Sequence, residues 1–279
     1  MNYSLSNMLG GGFVGGLDPS AKAYINAVVA AGATVTGAQR TAINNFIKAE
    51  KDASRYTLIK RLYLPIWGIA AANAIDMVTQ SSGTFVGGVT HAAGYIQGNG
   101  STGYFNTNVT PSTLSQTTSS ASLTALITQA PSGVGAVTAI GSIDGSDTTK
   151  LLEFSHLSGT AIIFRAMSIS ASGAVQAVVS RASQVGIFVS SREGGDRRII
   201  QRLTSGVSTL VNTTGANAGT VPVTGTYQML RSGFGGGAAY SDGRYGFFAA
   251  SLGQTLSQSQ AFSLNVKTLW ETCTGLTLP

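Results

Sequence analysis

The sequence predicts a mostly β chain: an antiparallel all-β sandwich or barrel with helical segments before and after it. From residue 95 onward, short runs rich in β-branched and aromatic residues, such as "SASLTALITQ" and "TAIIFRAMSI", alternate with turns of Gly, Ser, Asn and Asp. Many short strands at regular spacing are typical of sandwiches and barrels. On either side of residues 95–253 the apolar residues recur at intervals of three and four, which indicates helices.

The segment before the sheet starts with a glycine-rich leader, "MLGGGFVGG", which we expect to become ordered only against a partner. Asp18 and Pro19 then predict the N-cap and the first residue of a helix. Thr36 and Gln39 have the spacing of a capping box for a second helix. A third apolar set with the same period ends at Pro65 and extends the predicted helical subdomain: Leu58, Ile59, Leu62 and Tyr63.

The sheet region contains two hairpin turns, "IDGSD" and "REGGD". After Gly253 the helical period returns, and Ser257 and Gln260 have capping-box spacing for a closing helix. We therefore predict three parts: a flexible leader (residues 1–16), a helical lead-in that carries the attachment contact (residues 17–94), and a sandwich with its closing helix (residues 95–279).

The composition is unusual in its low charge. Charged residues make up 10% of the chain, where about a quarter is typical, and this predicts a neutral, hydroxyl-rich surface, as in proteins that are part of assemblies or exposed outside cells. The formal net charge is +6, but the basic groups at residues 48–61 and 192–202 show no nucleic-acid motif, so we expect no nucleic-acid binding. The single cysteine, Cys273, excludes an internal disulfide; two chains could pair through it, but we expect a buried thiol.

The N-terminus lacks the features of a signal peptide, and no stretch predicts a membrane span. We therefore expect a protein made in a cytoplasm, with no membrane partner.

Motifs for catalysis are missing from the sequence. There is no HExxH or phosphate-binding run, and His91 and His156 stand apart. Glu153, Glu193 and Asp196 are the acids near the central strands apart from turn acids, and a glycosidase pair across strands remains open in principle. Solvated turn charges are the simpler interpretation, so we predict no catalytic residues and no enzyme.

Two further groups of polar residues are candidates for binding. Calcium at a rim of the sandwich could take oxygen ligands from Asn99, Asp144, Asp147 and Asp242, although local hydrogen bonds in turns are the simpler explanation; no cofactor is therefore predicted. The hairpin arginines are the candidates for contact with an acidic glycan or an acidic neighbouring subunit, with solvated edge charges as the alternative: Arg192, Arg197, Arg198 and Arg202.

The stretch "YIQGNGSTGYFNTNV" resembles the strand-opening motif of laminin-G-like, concanavalin A-like jelly rolls, in which Gly100 and Gly103 shape a turn and Tyr104 and Phe105 start a strand. The tail "SDGRYGFFAASLGQTLSQSQAFSLNVKTLWE" is similar to the closing strand and helix of such domains. Together with the helical lead-in and the Pro-Ile-Trp segment after it, the order of motifs over residues 17–276 resembles tailed-bacteriophage virion proteins.

The resemblance implies an antiparallel two-sheet jelly-roll sandwich in a structural protein of a phage particle: a head decoration, fibre or tail-associated protein that binds protein or glycan. It implies other virion proteins, copies of the same chain and a host surface glycan as partners, and the virion as the location. The alternative is a glycan-degrading enzyme of the virion that acts on a host surface polysaccharide.

Overall fold

The computed structural model describes residues 16–117, 119–132, 137–145, 147–156, 161–166, 175–178, 184–194, 196–212, 221–232 and 239–279. In these residues two antiparallel sheets face each other, and helices cover the outer face of the larger sheet. The predicted mostly β, antiparallel two-sheet sandwich with helices at both ends is confirmed.

The larger sheet contains eight strands among the described residues. They are β1 (Ile59–Tyr63), β3 (Val89–Ala92), β4 (Tyr95–Gly98), β6 (Ser120–Gln129), β11 (Gly186–Glu193), β12 (Asp196–Leu203), β13 (Gly206–Asn212) and β17 (Arg244–Ser251). Their spatial order is β13, β12, β11, β6, β17, β4 and β3, and β1 also pairs with β17. Strands β4 and β1 therefore follow one another along the same edge of β17, β4 beside its first residues and β1 beside its last.

The second sheet contains seven strands among the described residues. They are β2 (Thr84–Val86), β5 (Tyr104–Asn106), β7 (Val137–Asp144), β8 (Asp147–His156), β9 (Ala161–Ala166), β10 (Val175–Val178) and β14 (Gln228–Met229). Their spatial order is β10, β9, β8, β7, β14, β5 and β2. A short pair, β15 (Arg231–Ser232) and β16 (Ala239–Tyr240), follows β14 in the chain.

The helices begin where their capping residues predict, with one exception. Asp18 caps α1 (Pro19–Ala30), and Thr36 and Gln39 form the capping box of α2 (Gly37–Asp52). A short α3 (Ala70–Asn73) follows, and α4 (Leu256–Thr274) closes the chain. The capping box of α4 is formed by Thr255 and Gln258 rather than by the predicted Ser257 and Gln260, because two residue pairs have the same spacing and Ser257 lies inside the first turn.

Two clusters of buried residues define three layers. The inner cluster joins the facing sides of the two sheets and includes Phe105, Phe154, Phe188 and Phe248. The outer cluster joins the other face of the larger sheet to α1, α2 and α4. The larger sheet is therefore covered on both faces, which explains why β6 is buried at almost every position instead of at alternate ones.

One predicted helix is wrong. Residues Tyr56–Leu58 form a single 3-10 turn, and the following residues form β1. Here the helical spacing of the apolar residues is misleading. Ile59, Leu62 and Tyr63 lie in a strand that pairs with β17, and they are buried because both faces of this sheet are covered. Strands thus begin before residue 95, while the division of the chain into domains stays a prediction.

Of the helices in the described part of the chain, none combines the length and apolar character needed to cross a bilayer.

Candidate functional site

The arginines proposed from the sequence lie on the hairpin of β11 and β12, but they do not share one surface. Side chains alternate between the two faces of a strand. Because Phe188 belongs to the inner cluster, Arg192 on the same strand points into the space between the sheets. Arg192 is 1% exposed, and its Nε lies 3.4 Å from the carbonyl oxygen of Gly194. Arg197 pairs with Arg192 across the hairpin, and its side chain lies outside the described residues.

Arg198 and Arg202 face the opposite side and hold α4 against the sheet. Arg198 donates to the carbonyl oxygen of Gln254 at 3.1 Å, just before the helix. Arg202 donates to Ser263 Oγ at 2.8 Å and to the carbonyl oxygen of Gln260 at 2.9 Å. These contacts stabilise the layer structure, and the contact of the four arginines with a partner stays a prediction.

Three of the four proposed calcium ligands have hydrogen-bond partners within the chain. Asn99 Oδ1 accepts the backbone N–H groups of residues 101, 102 and 103, and Asp242 accepts hydrogen bonds from Ser132. Asp144 binds the loop at residues 223–225, and the side chain of Asp147 lies outside the described residues. In the described part of the chain no group of three or more His, Cys, Asp or Glu side chains is placed to hold a metal.

Of the acids considered for catalysis, Glu193 and Asp196 are register partners at the turn between β11 and β12. Glu193 ends β11, and its Oε2 lies 3.4 Å from Arg198. The side chains of Glu153, Asp196 and His156 lie outside the described residues. His91 is in contact with Asn73, and burial lowers the pKa of its imidazole.

The glycine-rich turn of "YIQGNGSTGYF" is explained by close backbone contact. A Cβ at Gly98 would lie 2.0 Å from the Ser241 carbonyl oxygen, and one at Gly103 would lie 2.4 Å from the Gly88 carbonyl oxygen. The turn itself is held by Asn99, and its residue Gly100 has a φ of +72°. The close approach of the backbone therefore requires glycine at residues 98 and 103.

The same stretch presents a tyrosine at each end. Phe105 is buried in the inner cluster, but Tyr104 is half-buried. Tyr95 stacks on Arg244, with the guanidinium carbon 4.6 Å from the ring centroid. Tyr104 stacks on Arg231 at 4.8 Å. Each tyrosine therefore has an arginine from the last fifth of the chain against its ring.

The Tyr95 side of this arrangement opens into a cavity of about 340 Å³, called here the Arg244 cavity. Arg244 is oriented by Gln97, whose Oε1 accepts from Nε at 3.1 Å and whose Nε2 donates to the Asp242 carbonyl oxygen at 2.9 Å. The remaining lining comes from the end of β6, from α4 and from the C-terminal residues: Thr128, Gln129, Trp270, Leu276, Thr277 and Pro279.

The walls of the Arg244 cavity combine apolar surface with unused hydrogen-bonding groups. Trp270 is buried and donates from Nε1 to the Gly94 carbonyl oxygen at 3.0 Å, so its ring is fixed. Among the described residues, the two terminal nitrogens of Arg244 and the side chains of Gln129 and Thr277 have no hydrogen-bond partner. A concave site with an aromatic wall and a few convergent polar groups is the usual form of a small-molecule site.

Sequence reasoning missed Arg244 and Arg231 because both lie far along the chain from their tyrosines. Strand pairing brings them together: Arg244 is the register partner of Gln97 between β17 and β4. One local signal was available. The stretch "YIQGNGSTGYF" contains three aromatic residues, and of these Phe105 alone belongs to the inner cluster.

No family model and no curated protein matches this sequence. Among solved structures, the chain is similar to the Trypanosoma rangeli sialidase in complex with sialic acid, with a TM-score of 0.51 and 11% identity over 81% of this chain and 39% of the sialidase chain. The chain thus spans 39% of that sialidase's length. This likeness shows a shared fold.

Two other solved structures are similar at lower scores. A botulinum neurotoxin type C, which enters cells through interaction with two ganglioside molecules, has a TM-score of 0.48 and 11% identity over 77% of this chain and 53% of its own. The tailspike protein 2 of the Escherichia coli O157:H7 bacteriophage CAB120 has a TM-score of 0.43 and 11% identity over 72% of this chain and 27% of its own.

The sialidase match corrects the prediction that the chain is no enzyme. That prediction rested on the scarcity of paired acids and histidines, yet the matched fold belongs to an enzyme. The absence of a familiar motif therefore does not exclude catalysis for a chain with this fold.

Proposed function

We propose that the chain is a structural component of a bacteriophage particle that binds a glycan, and that the Arg244 cavity holds one sugar unit. The phage assignment rests on the order of motifs over residues 17–276 and on the low charge of the chain. Other virion proteins and further copies of the chain are the partners that this role requires.

The stacked pair of Tyr95 and Arg244 is the observation that carries the binding proposal. A sugar presents apolar C–H faces and a rim of hydroxyl groups. The aromatic and aliphatic walls of the cavity suit the faces, while the free guanidinium nitrogens and the Gln129 amide suit the hydroxyl groups. Because Gln97 fixes Arg244 in place, little side-chain freedom is lost when the ligand binds.

The test is a glycan array with the purified full chain, followed by titration of the best ligand against Arg244→Gln. Sialic acid belongs among the probes, since the matched sialidase was solved with it. Hydrogen bonds to a charged group contribute about 1.5–3 kcal/mol, so we expect Arg244→Gln to weaken binding about tenfold or more.

Arg231→Gln is the matched control, because Arg231 also stacks on a tyrosine but does not line the cavity. It should leave the affinity unchanged. Equal weakening by both variants, or no glycan bound on the array, would contradict the proposal.

The same samples are also assayed for the release of sugar from the bound glycan. If sugar is released and Arg244→Gln lowers the release rate, the cavity belongs to the alternative function, a glycan-degrading enzyme.

A further inference from the structure

A second cavity lies at the other end of β17, beside the start of β1, and is called here the Arg61 cavity. Its volume is about 540 Å³. Its walls come from the 3-10 turn before β1, from β1 itself, from the turn after Asp76 and from the 3-10 turn Ser112–Leu114. Arg244 pairs with β4 and Ser251 with Ile59, so the length of β17 separates the two cavities.

The Arg61 cavity is lined by two cationic side chains, and no acid is among the described residues that line it. Lys60 donates from Nζ to the Thr57 carbonyl oxygen at 3.0 Å, which leaves further protons on the ammonium group. Arg61 donates from Nη1 to the Lys60 carbonyl oxygen at 2.7 Å. Both residues belong to the basic group at residues 48–61.

Asp76 is the acid behind this cavity, and its oxygens are already engaged. Its Oδ1 accepts the backbone N–H of Leu62 at 2.8 Å and that of Val78 at 3.2 Å. Its Oδ2 accepts the N–H and the hydroxyl of Thr79. Arg61 Nε lies 3.6 Å from Oδ2, and this buried nitrogen has no hydrogen-bond partner among the described residues.

A tyrosine contributes to the wall of the same cavity. The Oη atom of Tyr56 is buried beside the Ser20 hydroxyl, which by itself would lower the pKa of the phenol. Burial raises the pKa of Tyr56, so the hydroxyl keeps its proton. Lys51 lies with Nζ 5.1 Å from the centroid of the Tyr56 ring, and its charge is paired with Asp18 at 2.7 Å.

Lys60 carries the charge in this cavity that no described acid pairs. Asp76 pairs the charge of Arg61, whereas the ammonium group of Lys60 has no ion pair among the described residues, and hydroxyl groups of Thr57, Thr113 and Ser115 line the same cavity. A neutral sugar would leave this ammonium group without a counter-charge, whereas an oxyanion supplies both charge and acceptor oxygens. We propose that the Arg61 cavity is an oxyanion site that takes the carboxylate of an acidic saccharide or a phosphate group.

The test follows backbone amide resonances of the full chain by NMR while D-glucuronate, inorganic phosphate or D-glucose is added in separate arms. We expect the amides of residues 57–61 and 113–115 to shift with glucuronate or phosphate and not with glucose. A tighter affinity for glucuronate would identify the carboxylate of a saccharide as the source, and a tighter affinity for phosphate would identify a phosphate group.

Two variants examine the donors. Tyr56→Phe removes one buried hydroxyl from the cavity wall and keeps the ring, so the fold should be kept while the Kd for the anion rises at least threefold. Tyr63→Phe is its matched control, because the Tyr63 Oη is also buried but lies in the inner cluster, away from the Arg61 cavity.

Lys60→Gln removes the ammonium group from the cavity and should raise the Kd at least fivefold. Lys48→Gln is its control, because Lys48 is exposed and does not line the cavity.

The proposal is independent of the Arg244 cavity, so Arg244→Gln should leave anion binding unchanged. No shift with either anion, or equal effects of Tyr56→Phe and Tyr63→Phe, would overturn it. Loss of anion binding in Arg244→Gln would also overturn it, because the anion would then occupy the Arg244 cavity.

Discussion

Asp144 shows how one buried carboxylate holds a distant segment of the chain, residues 223–225. It ends β7, is 8% exposed, and accepts the N–H groups of Val223, Thr224 and Gly225 at 2.9, 2.8 and 2.6 Å. Burial by itself would raise the pKa of Asp144, but these backbone hydrogen bonds prevail and lower it. The residue therefore acts through local hydrogen bonds, which was the simpler of the two interpretations of the sequence.

We predict that Asp144→Asn lowers the free energy of unfolding at pH 7 by about 2 kcal/mol, the scale of lost hydrogen bonds to a charged group. Because the pKa of Asp144 is lowered on folding, its contribution is present above the ordinary value near 4 and is lost as the pH falls through the folded value. Urea unfolding over a pH series measures this.

Asp52→Asn is the control, since Asp52 is exposed at the end of α2 and has no described hydrogen bond or ion pair. It should change neither the stability nor its pH dependence. If Asp144→Asn keeps the acid-dependent loss of the natural protein, the loop is held by other groups.

At the scale of elements, the turn between β4 and β5 positions the Arg244 cavity. Gly98 ends β4 against the carbonyl oxygen of Ser241, and Gln97 beside it orients Arg244. A Cβ atom at Gly98 would collide with the backbone of Ser241. Because backbone cannot rotate away as a flexible side chain can, the two segments would have to move apart.

We predict that Gly98→Ala costs about 1–3 kcal/mol of stability, as overpacking does, and also weakens glycan binding in the Arg244 cavity. Chemical unfolding and glycan titration measure the two effects. Gly37→Ala is the control, because a Cβ there meets nothing within 4 Å at the first residue of α2. Unchanged stability of Gly98→Ala would show that the close contact is relieved without cost.

Elements with local signals could be predicted from the sequence, and those set by pairing could not. The caps of α1 and α2 and both hairpin turns are as predicted, because neighbouring residues determine them. The segment of β1 has apolar residues at helical spacing, and only its partner β17 makes it a strand. The Arg244 cavity was missed for the same reason, since Tyr95 and Arg244 meet through sheet pairing.

At the scale of the whole molecule, covering one sheet on both faces explains part of the composition. Several hydroxyl residues that predicted a polar surface are instead buried between the larger sheet and α4: Ser122, Thr124, Ser191, Ser259 and Ser263. Their small size lets the helix approach the sheet closely. Cys273 is buried on the same helix, and burial raises its pKa to about 12, so the thiol stays protonated.

The last prediction concerns attachment to the particle. We expect that a chain lacking residues 1–16 folds with unchanged Tm but no longer joins the particle or its own oligomer. The structural reason is that Leu17 packs against the outer cluster and Asp18 holds α1, accepting the Ser20 N–H at 2.9 Å and Lys51 Nζ at 2.7 Å. The truncation leaves all these contacts in place. Thermal unfolding and the amount of chain in purified particles are measured together.

Asp18→Ala in the full chain separates attachment from stability. It removes a helix cap and should lower stability by about 1 kcal/mol, while the leader stays present and incorporation stays normal. A truncated chain that joins the particle at the normal level would place the attachment surface elsewhere. The hairpin of β11 and β12 would then be the next candidate, because the charge of its arginines could pair with an acidic neighbour.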